Sequence, residues 1–130
     1  MLMAVCSATQ LFAQNKLEVT VTNIRETTGT IRVALYNNEN DFLKKFQEGK
    51  IVKVSGKEVT IVFDNLKKGD YAVSVYHDKN DNQEMDSNFM GIPSEPYGFS
   101  NNAMGTFGPP SFEKAKVSVD ENKSAVINLR

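Results

Sequence analysis

The stretch at 69–76, Gly-Asp-Tyr-Ala-Val-Ser-Val-Tyr, decides the fold class of this chain. Its apolar residues Tyr71, Val73 and Val75 fall on alternate positions, which is the period of a β-strand with one buried face. Gly69 stands just before them and supplies the backbone freedom that a turn requires. The stretch therefore predicts a turn followed by a half-buried strand.

The same period of two recurs along most of the chain. The alternating sets are Leu17, Val19 and Val21; Ile31, Val33 and Leu35; Val59, Ile61 and Phe63; Val117 and Val119; and Ala125, Ile127 and Leu129, with a further short strand at Ile51 to Val54. About seven strands joined by turns is the count expected of a two-layer sandwich. We therefore predict an all-β fold, a single immunoglobulin-like or transthyretin-like β-sandwich. Leu66 followed by Gly69-x-Tyr71 also resembles the transthyretin-like and carboxypeptidase-regulatory-like sandwiches.

One short helix is predicted among the strands, at 40–49. Asn40 can cap it, Phe42, Leu43 and Phe46 form an apolar stripe, and Gly49 can end it. We expect this helix to cover an open end of the sandwich. Partner binding is the alternative role.

The first thirteen residues differ from the rest of the chain. Met1 to Ala13 carry no charge and are rich in Leu, Met, Val, Phe and Ala. The segment is too short to cross a membrane and matches the apolar part of a secretory signal, so we predict cleavage after Ala13 and a folded domain at 14–130. A buried N-terminal strand or helix is the alternative, as is lipid attachment at Cys6.

Composition narrows the classes of function. Cys6 is the only cysteine and would leave with the signal, which excludes disulfides, thiol catalysis and zinc–thiolate sites in the mature protein. The net charge is −1, and the Lys and Arg residues form no basic block. We therefore expect no nucleic-acid partner. Because the apolar segment at Met1 to Ala13 is too short to span a membrane, we also do not expect an integral membrane protein. Export would place the protein in the periplasm or outside the cell.

The segment at 79–112 is unusual because it holds all four prolines and lacks a sustained strand or helix pattern. Its aromatic residues favour an ordered loop packed on the sandwich over a flexible linker. Ring and amide side chains suit a carbohydrate, peptide or protein ligand. The candidate ligand-binding residues are Tyr97, Phe99, Asn101, Asn102 and Phe107. A purely structural cover is the alternative.

A calcium-type loop is predicted where this segment begins. Oxygen-bearing side chains occupy alternate positions, as calcium-binding loops require, at Asp78, Asn80, Asn82, Glu84 and Asp86. Gln83 and Phe89 stand where such loops have glycine and glutamate, so Glu95 or Glu113 would have to complete the ligand shell. A solvated acidic turn that bonds its own backbone is the alternative.

His77 is the only histidine, and no second histidine or cysteine is available to build a zinc or copper site with it. It alternates in phase with Val73 and Val75, which predicts a packed histidine at the end of a strand. The sequence also lacks a Gly-x-Ser-x-Gly nucleophile turn. We therefore do not expect an enzyme. A small hydrolase that uses His77 with Asp78 or Glu95 is the alternative.

Three runs are distinctive: His-Asp-Lys-Asn-Asp-Asn at 77–82, Met-Gly-Ile-Pro-Ser-Glu-Pro-Tyr-Gly-Phe-Ser-Asn-Asn at 90–102, and Phe-Gly-Pro-Pro-Ser-Phe at 107–112. Together they resemble the bacterial exported family catalogued as domain of unknown function 2141, over about Leu17 to Leu129. The resemblance implies an exported β-sandwich without an established activity. We thus expect an extracytoplasmic binding or structural module, with an envelope accessory domain that assembles with another exported protein as an alternative.

Overall fold

The computed structural model describes residues 14–81, 95–106 and 108–130. The predicted signal at Met1 to Ala13 lies outside these ranges. Within these ranges there are eight strands and one α-helix: β1 (Asn15–Thr22), β2 (Thr30–Tyr36), β3 (Glu48–Lys53), β4 (Val59–Leu66), β5 (Gly69–Asp78), β6 (Tyr97–Phe99), α1 (Phe112–Ala115), β7 (Val117–Val119) and β8 (Lys123–Asn128). A one-turn 3-10 segment, Ser100–Asn102, follows β6.

The strands form two sheets. The three-stranded sheet has the order β4-β1-β8, with β1 antiparallel to β4 and parallel to β8. The five-stranded sheet has the order β3-β2-β5-β6, and β7 pairs with the beginning of β5 on the same side as β6. The predicted all-β sandwich is confirmed.

The main core lies between the two sheets and contains the alternating apolar residues that the sequence pattern indicated. Its fully buried members include Leu17, Val19, Val21, Ile31, Leu35, Phe63, Val73, Val119 and Ile127. Burying each of these side chains away from water stabilises the folded state by about 1.5–3 kcal/mol. The period of two therefore assigned the inward faces of the strands correctly.

The predicted helix at 40–49 is wrong. The segment forms consecutive turns, in which Lys44 and Lys45 both donate backbone bonds to the Asp41 carbonyl. Leu43 has a φ of 63°, which no α-helix accommodates. A short isolated helix is marginally stable, whereas β3 begins at Glu48 and pairs with β2 over six residues. Gly49 therefore belongs to a strand rather than to a helix end.

The segment at 79–112 contains the strand that raises the count from about seven to eight. The short strand β6 pairs with β5, placing Phe99 opposite Ser74 and Tyr97 opposite Tyr76. Helix α1 follows at the end of the segment, with its first turn capped by the Ser111 side chain. Gly98 stands at the centre of β6 and Pro96 just before it, and strands disfavour both residue types, which explains why the sequence did not indicate β6.

The two sheets meet at one corner, beside β6 and the end of β8. The backbones of Tyr97 and Arg130 exchange two hydrogen bonds, of 3.2 Å and 2.9 Å. Gly98 permits this approach, because a Cβ atom at that position would lie 2.7 Å from Cγ2 of Ile127. The corner thus joins the five-stranded sheet to the three-stranded sheet through main-chain contacts.

A second hydrophobic cluster covers part of the outer face of the five-stranded sheet. It consists of Tyr36, Phe42, Ala72, Phe99, Phe112 and Ala115. The Phe42 ring meets those of Tyr36 and Phe112 edge to face, with centroid distances of 5.2 Å and 5.8 Å. The loop that carries Phe42 and helix α1 therefore meet over this part of the face. The part of the face beside Arg32, Ile51 and Tyr76 is left open.

No helix within the described ranges has the length and apolar composition needed to cross a membrane.

Candidate functional site: a trough on the five-stranded sheet

A trough crosses the open part of the outer face because small residues stand side by side on three neighbouring strands. Ala34 of β2 is in register with Gly49 of β3 on one side and with Ser74 of β5 on the other. The next row along the strands contains larger side chains, Ile51, Arg32 and Tyr76, and Tyr36 lies on the opposite side of the small row. The resulting depression has a volume of about 390 Å³, which lies in the range of ordinary ligand pockets.

Exposed apolar side chains border this trough. Phe46 lies over Gly49, where a Cβ atom would come within 3.0 Å of its ring, yet the residue is 56% exposed. Ile51, on the neighbouring row, is 59% exposed. Leu43, at 37%, lies in the same loop as Phe46. Phe46 and Ile51 both line the trough, and large exposed apolar side chains that share one depression mark a contact surface.

Arg32 provides the charged end of the trough. Its Nε atom donates to the Asp78 carboxylate at 3.1 Å, and its Nη2 atom lies 3.4 Å from an oxygen of Asp81. The Asp78 side chain is fully buried, and a buried carboxylate is costly unless it is paired. Asp78 therefore holds the guanidinium in place. At the floor, the hydroxyls of Tyr36 and Ser74 lie 3.2 Å apart.

Strand β3 forms both a wall of the trough and an edge of the sheet. It is the terminal strand in the sheet order, and on its outer side it pairs with no strand in the described ranges. An edge strand presents backbone N–H and C=O groups to which another chain can pair. Because β3 contributes Gly49 and Ile51 to the trough, the unpaired edge and the apolar depression form one continuous surface.

The structure describes part of the predicted calcium loop. Asp78 ends β5 and Asn80 lies in the turn that follows, whereas Asn82, Glu84 and Asp86 lie outside the described residues. Of the two proposed extra ligands, Glu95 lies beside the loop, where it accepts the Lys79 backbone N–H at 2.8 Å. Within the described ranges, no three acidic, His or Cys side chains are grouped as a metal site requires. Calcium binding stays a prediction.

Glu113, the other proposed ligand, lies in α1 and pairs with Lys116 at 3.1 Å. The hydrogen bond and the attraction between these two groups raise the pKa of Lys116. The Glu113 side chain is largely exposed, at 75%. In the described structure, the Glu113 carboxylate thus forms an ion pair with Lys116.

The predicted ligand-binding residues fall into three groups. Tyr97 and Phe99 project from β6 onto the outer face with their rings 6.0 Å apart, and Phe99 is buried in the second cluster. The amides of Asn101 and Asn102 bind backbone: Asn101 Nδ2 donates to the Lys114 and Lys116 carbonyls, and Asn102 Oδ1 accepts the Asn128 N–H. Phe107 lies outside the described residues. Ligand binding by this set stays a prediction.

Both asparagines occupy left-handed backbone conformations, with φ values of 62° and 50°. Asparagine tolerates this region better than most residues. The amides therefore serve the segment between β6 and α1, tying it to α1 and β8. Neither side chain lines the trough.

Ser100 is a structural residue that the sequence did not single out. Its hydroxyl accepts the Val73 N–H at 2.9 Å and donates to the Ala115 carbonyl at 2.5 Å. Val73 falls between the part of β5 that pairs with β6 and the part that pairs with β7. A lone serine in a polar run carries no pattern from which this role could have been predicted.

His77 is packed at the end of β5. The side chain is fully buried, and its Nε2 atom lies 2.6 Å from the Thr28 carbonyl oxygen. His77 and Asp78 are consecutive strand residues, so their side chains project to opposite sheet faces. His77 instead shares a second cleft with Glu95, on the side of β5 away from the trough. The hydrolase alternative stays a prediction, and this geometry favours its His77 and Glu95 form.

Comparison with known families gives one match. A model described as an uncharacterized protein conserved in bacteria, DUF2141, matches residues 19–127. This confirms the resemblance carried by the three sequence runs. No curated protein and no solved structure was found to match the chain.

Proposed function

The chain belongs to the bacterial DUF2141 family, and we propose that it is an exported binding module that holds an extended segment of a partner protein against β3 and the trough. The observation that carries the proposal is the coincidence of an unpaired edge strand with exposed Phe46 and Ile51. Monomeric proteins seldom leave large apolar side chains grouped on their surface without a use. The uncharged segment at Met1 to Ala13 supports export.

Strand addition would place the partner's side chains in a defined way. A segment that pairs with β3 continues the sheet, and its successive side chains alternate between the two sheet faces. Those on the outer face would lie beside Gly49 and Ile51. We therefore expect a partner segment with apolar residues at alternate positions, one of which enters the trough above Ala34.

The composition of β3 favours a specific partner over self-association. Lys50 and Lys53 lie along the edge strand, and Lys50 pairs with Glu48 of the same strand at 3.6 Å. Charged residues, lysine above all, are a common protection of an edge strand against pairing between identical copies. A partner segment with acidic residues near its ends would not be disfavoured in this way.

The test uses a displayed library of random peptides, from which binders to the purified domain are selected and measured by fluorescence anisotropy. We expect selected peptides to alternate apolar and polar residues. Ala34→Leu, which fills the trough from its floor, and Ile51→Thr, which removes an exposed wall, should each weaken binding by about tenfold or more. Val126→Thr is the matched control, because Val126 is 53% exposed on the three-stranded sheet.

Circular dichroism spectra of the variants should match that of the parent, which separates lost binding from lost folding. Selected peptides without alternation would contradict the proposal. So would alternating peptides that bind Ala34→Leu and Ile51→Thr as tightly as the parent protein, because the trough would then play no part.

A further inference from the structure

A second cleft lies at the end of the sandwich where β5 ends, away from the trough. Its volume is about 260 Å³. The charged residues that line it are Arg25, Glu26, Lys79, Glu95 and Arg130, together with His77. Because His77 projects toward the core side of β5 while Arg32 and Tyr76 project outward, this cleft and the trough share no side chain.

Two of the lining residues are buried ionisable groups. His77 is 0% and Glu95 is 4% exposed. Since the Thr28 carbonyl can only accept a hydrogen bond, the Nε2 atom of His77 carries the proton. In the neutral imidazole the Nδ1 atom is then an acceptor, and it has no partner among the described residues. A buried acceptor without a partner destabilises a fold, so such a group points to a missing donor.

Three cationic side chains line the cleft, those of Arg25, Lys79 and Arg130. Lys79 is paired with Glu26 at 3.4 Å. The guanidinium groups of Arg25 and Arg130 form no ion pair with another described residue, and both residues are exposed. A guanidinium presents its N–H donors in a planar fork that fits the oxygen atoms of carboxylates and phosphates.

We infer that this cleft binds a small oxyanion that carries its own hydrogen-bond donor. The anionic oxygens would bind Arg25 and Arg130, and the donor would be directed to the acceptors on His77 and Glu95. The negative charge of Glu95 repels an anion that cannot offer a proton. Hydrogen phosphate and small hydroxy acids share the required chemistry, whereas sulfate at neutral pH has anionic oxygens but no donor.

The experiment titrates the full chain with each anion separately at pH 7 and constant ionic strength, following amide chemical shifts by NMR. The anions form two pairs, phosphate with sulfate and lactate with acetate. In each pair the first anion carries a hydroxyl donor at pH 7 and the second does not. We expect saturable shifts at Arg25, His77 and Glu95 with phosphate or lactate. Sulfate and acetate should bind about tenfold more weakly or not at all. The two pairs of arms distinguish a phosphate source from a hydroxy-acid source.

The variants separate the cleft from general charge effects. Arg25→Gln together with Arg130→Gln should weaken binding of the preferred anion by about tenfold or more. Lys45→Gln, which removes an exposed cation in the loop over the other face, should leave it unchanged. Glu95→Gln should reduce the preference for anions that carry a donor.

Three results would overturn the inference: no saturable shift below about 10 mM of phosphate or lactate, equal binding of sulfate and phosphate together with equal binding of acetate and lactate, or unchanged binding by the double variant. None of these results bears on peptide binding at β3, because the two sites share no side chain.

Discussion

The hydroxyl of Ser100 closes a gap in the hydrogen bonding of β5, between the pairings with β6 and β7. We predict that Ser100→Ala lowers the free energy of unfolding by about 1–3 kcal/mol, because the buried Val73 N–H and the Ala115 carbonyl lose their partner. Urea denaturation measures the change. Ser55→Ala, at an exposed position, is the control and should change stability by no more than about 0.5 kcal/mol. Equal stabilities of the two variants would assign Ser100 no such role.

Tyr71 links stability to alkaline pH. Burial raises the pKa of its hydroxyl above the ordinary value of 10.0, and the hydroxyl donates to the Lys67 carbonyl at 2.7 Å. The unfolded chain therefore loses this proton at lower pH than the folded chain does. The contribution to stability is complete below pH 10 and falls as the pH rises through the folded-state pKa.

We therefore predict that the free energy of unfolding decreases above about pH 10, and that Tyr71→Phe makes this decrease shallower. Urea denaturation at several pH values between neutrality and the alkaline range measures both slopes. Identical slopes in the two proteins would show that other groups cause the alkaline loss.

The predicted calcium loop can be tested by replacing individual carboxylates. The melting temperature of the domain should rise in calcium relative to chelator, because a ligand that binds only the folded state stabilises it by about 2.7 kcal/mol at a hundredfold excess over Kd. Asp86→Ala should abolish the rise. It is preferable to Asp78→Ala as a test, since Asp78 also pairs with Arg32. Asp120→Ala, at an exposed residue, should retain the rise. A melting temperature that is the same in calcium and in chelator would contradict the predicted calcium site.

Among the elements, the contact between β6 and β8 depends on a residue without a side chain. Gly98→Ala would place a Cβ atom 2.7 Å from Ile127 Cγ2 and 3.1 Å from the Asn128 carbonyl oxygen. We predict a loss of roughly 1–3 kcal/mol in the free energy of unfolding, the usual effect of overpacking. Gly56→Ala is the control, since no atom lies within 4 Å of its added Cβ. If both variants unfold at the same urea concentration, the corner tolerates the extra methyl group.

The loop at 37–47 shows why an apolar stripe can mislead. Phe42, Leu43 and Phe46 have helical spacing, but they do not share one buried face. Phe42 packs between Tyr36 and Phe112, whereas Phe46 lies over Gly49 at the trough. Apolar residues at helical spacing indicate that the segment packs against the protein. They do not distinguish a helix from consecutive turns, because both can place such side chains in contact with a core.

At the scale of the whole molecule, the sequence predicts export. The segment on which this prediction rests, Met1 to Ala13, lies outside the described residues. We expect the protein recovered from the periplasm or the medium to begin at Gln14. Mass spectrometry of the intact protein measures this start. A chain that keeps Met1 to Ala13 and stays inside the cell would contradict both the predicted signal and the proposed extracytoplasmic role.

The sequence alone determined the alternating strand residues of the main core and that the fold is a β-sandwich, because burial of one strand face imposes a period of two on neighbouring residues. It also placed His77 at a strand end, in phase with Val73 and Val75, and it carried the runs by which the family is recognised. These features depend on residues that are close in the chain.

The trough and the second cleft were decided only by the tertiary structure. Gly49, Ala34 and Ser74 are far apart in sequence and become neighbours through strand register, while Arg25, His77 and Arg130 meet where strands end. The pairing of Arg32 with Asp78 likewise joins two strands. Local periodicity contains no information about which strands become neighbours or in which register, since these depend on the packing of the whole chain.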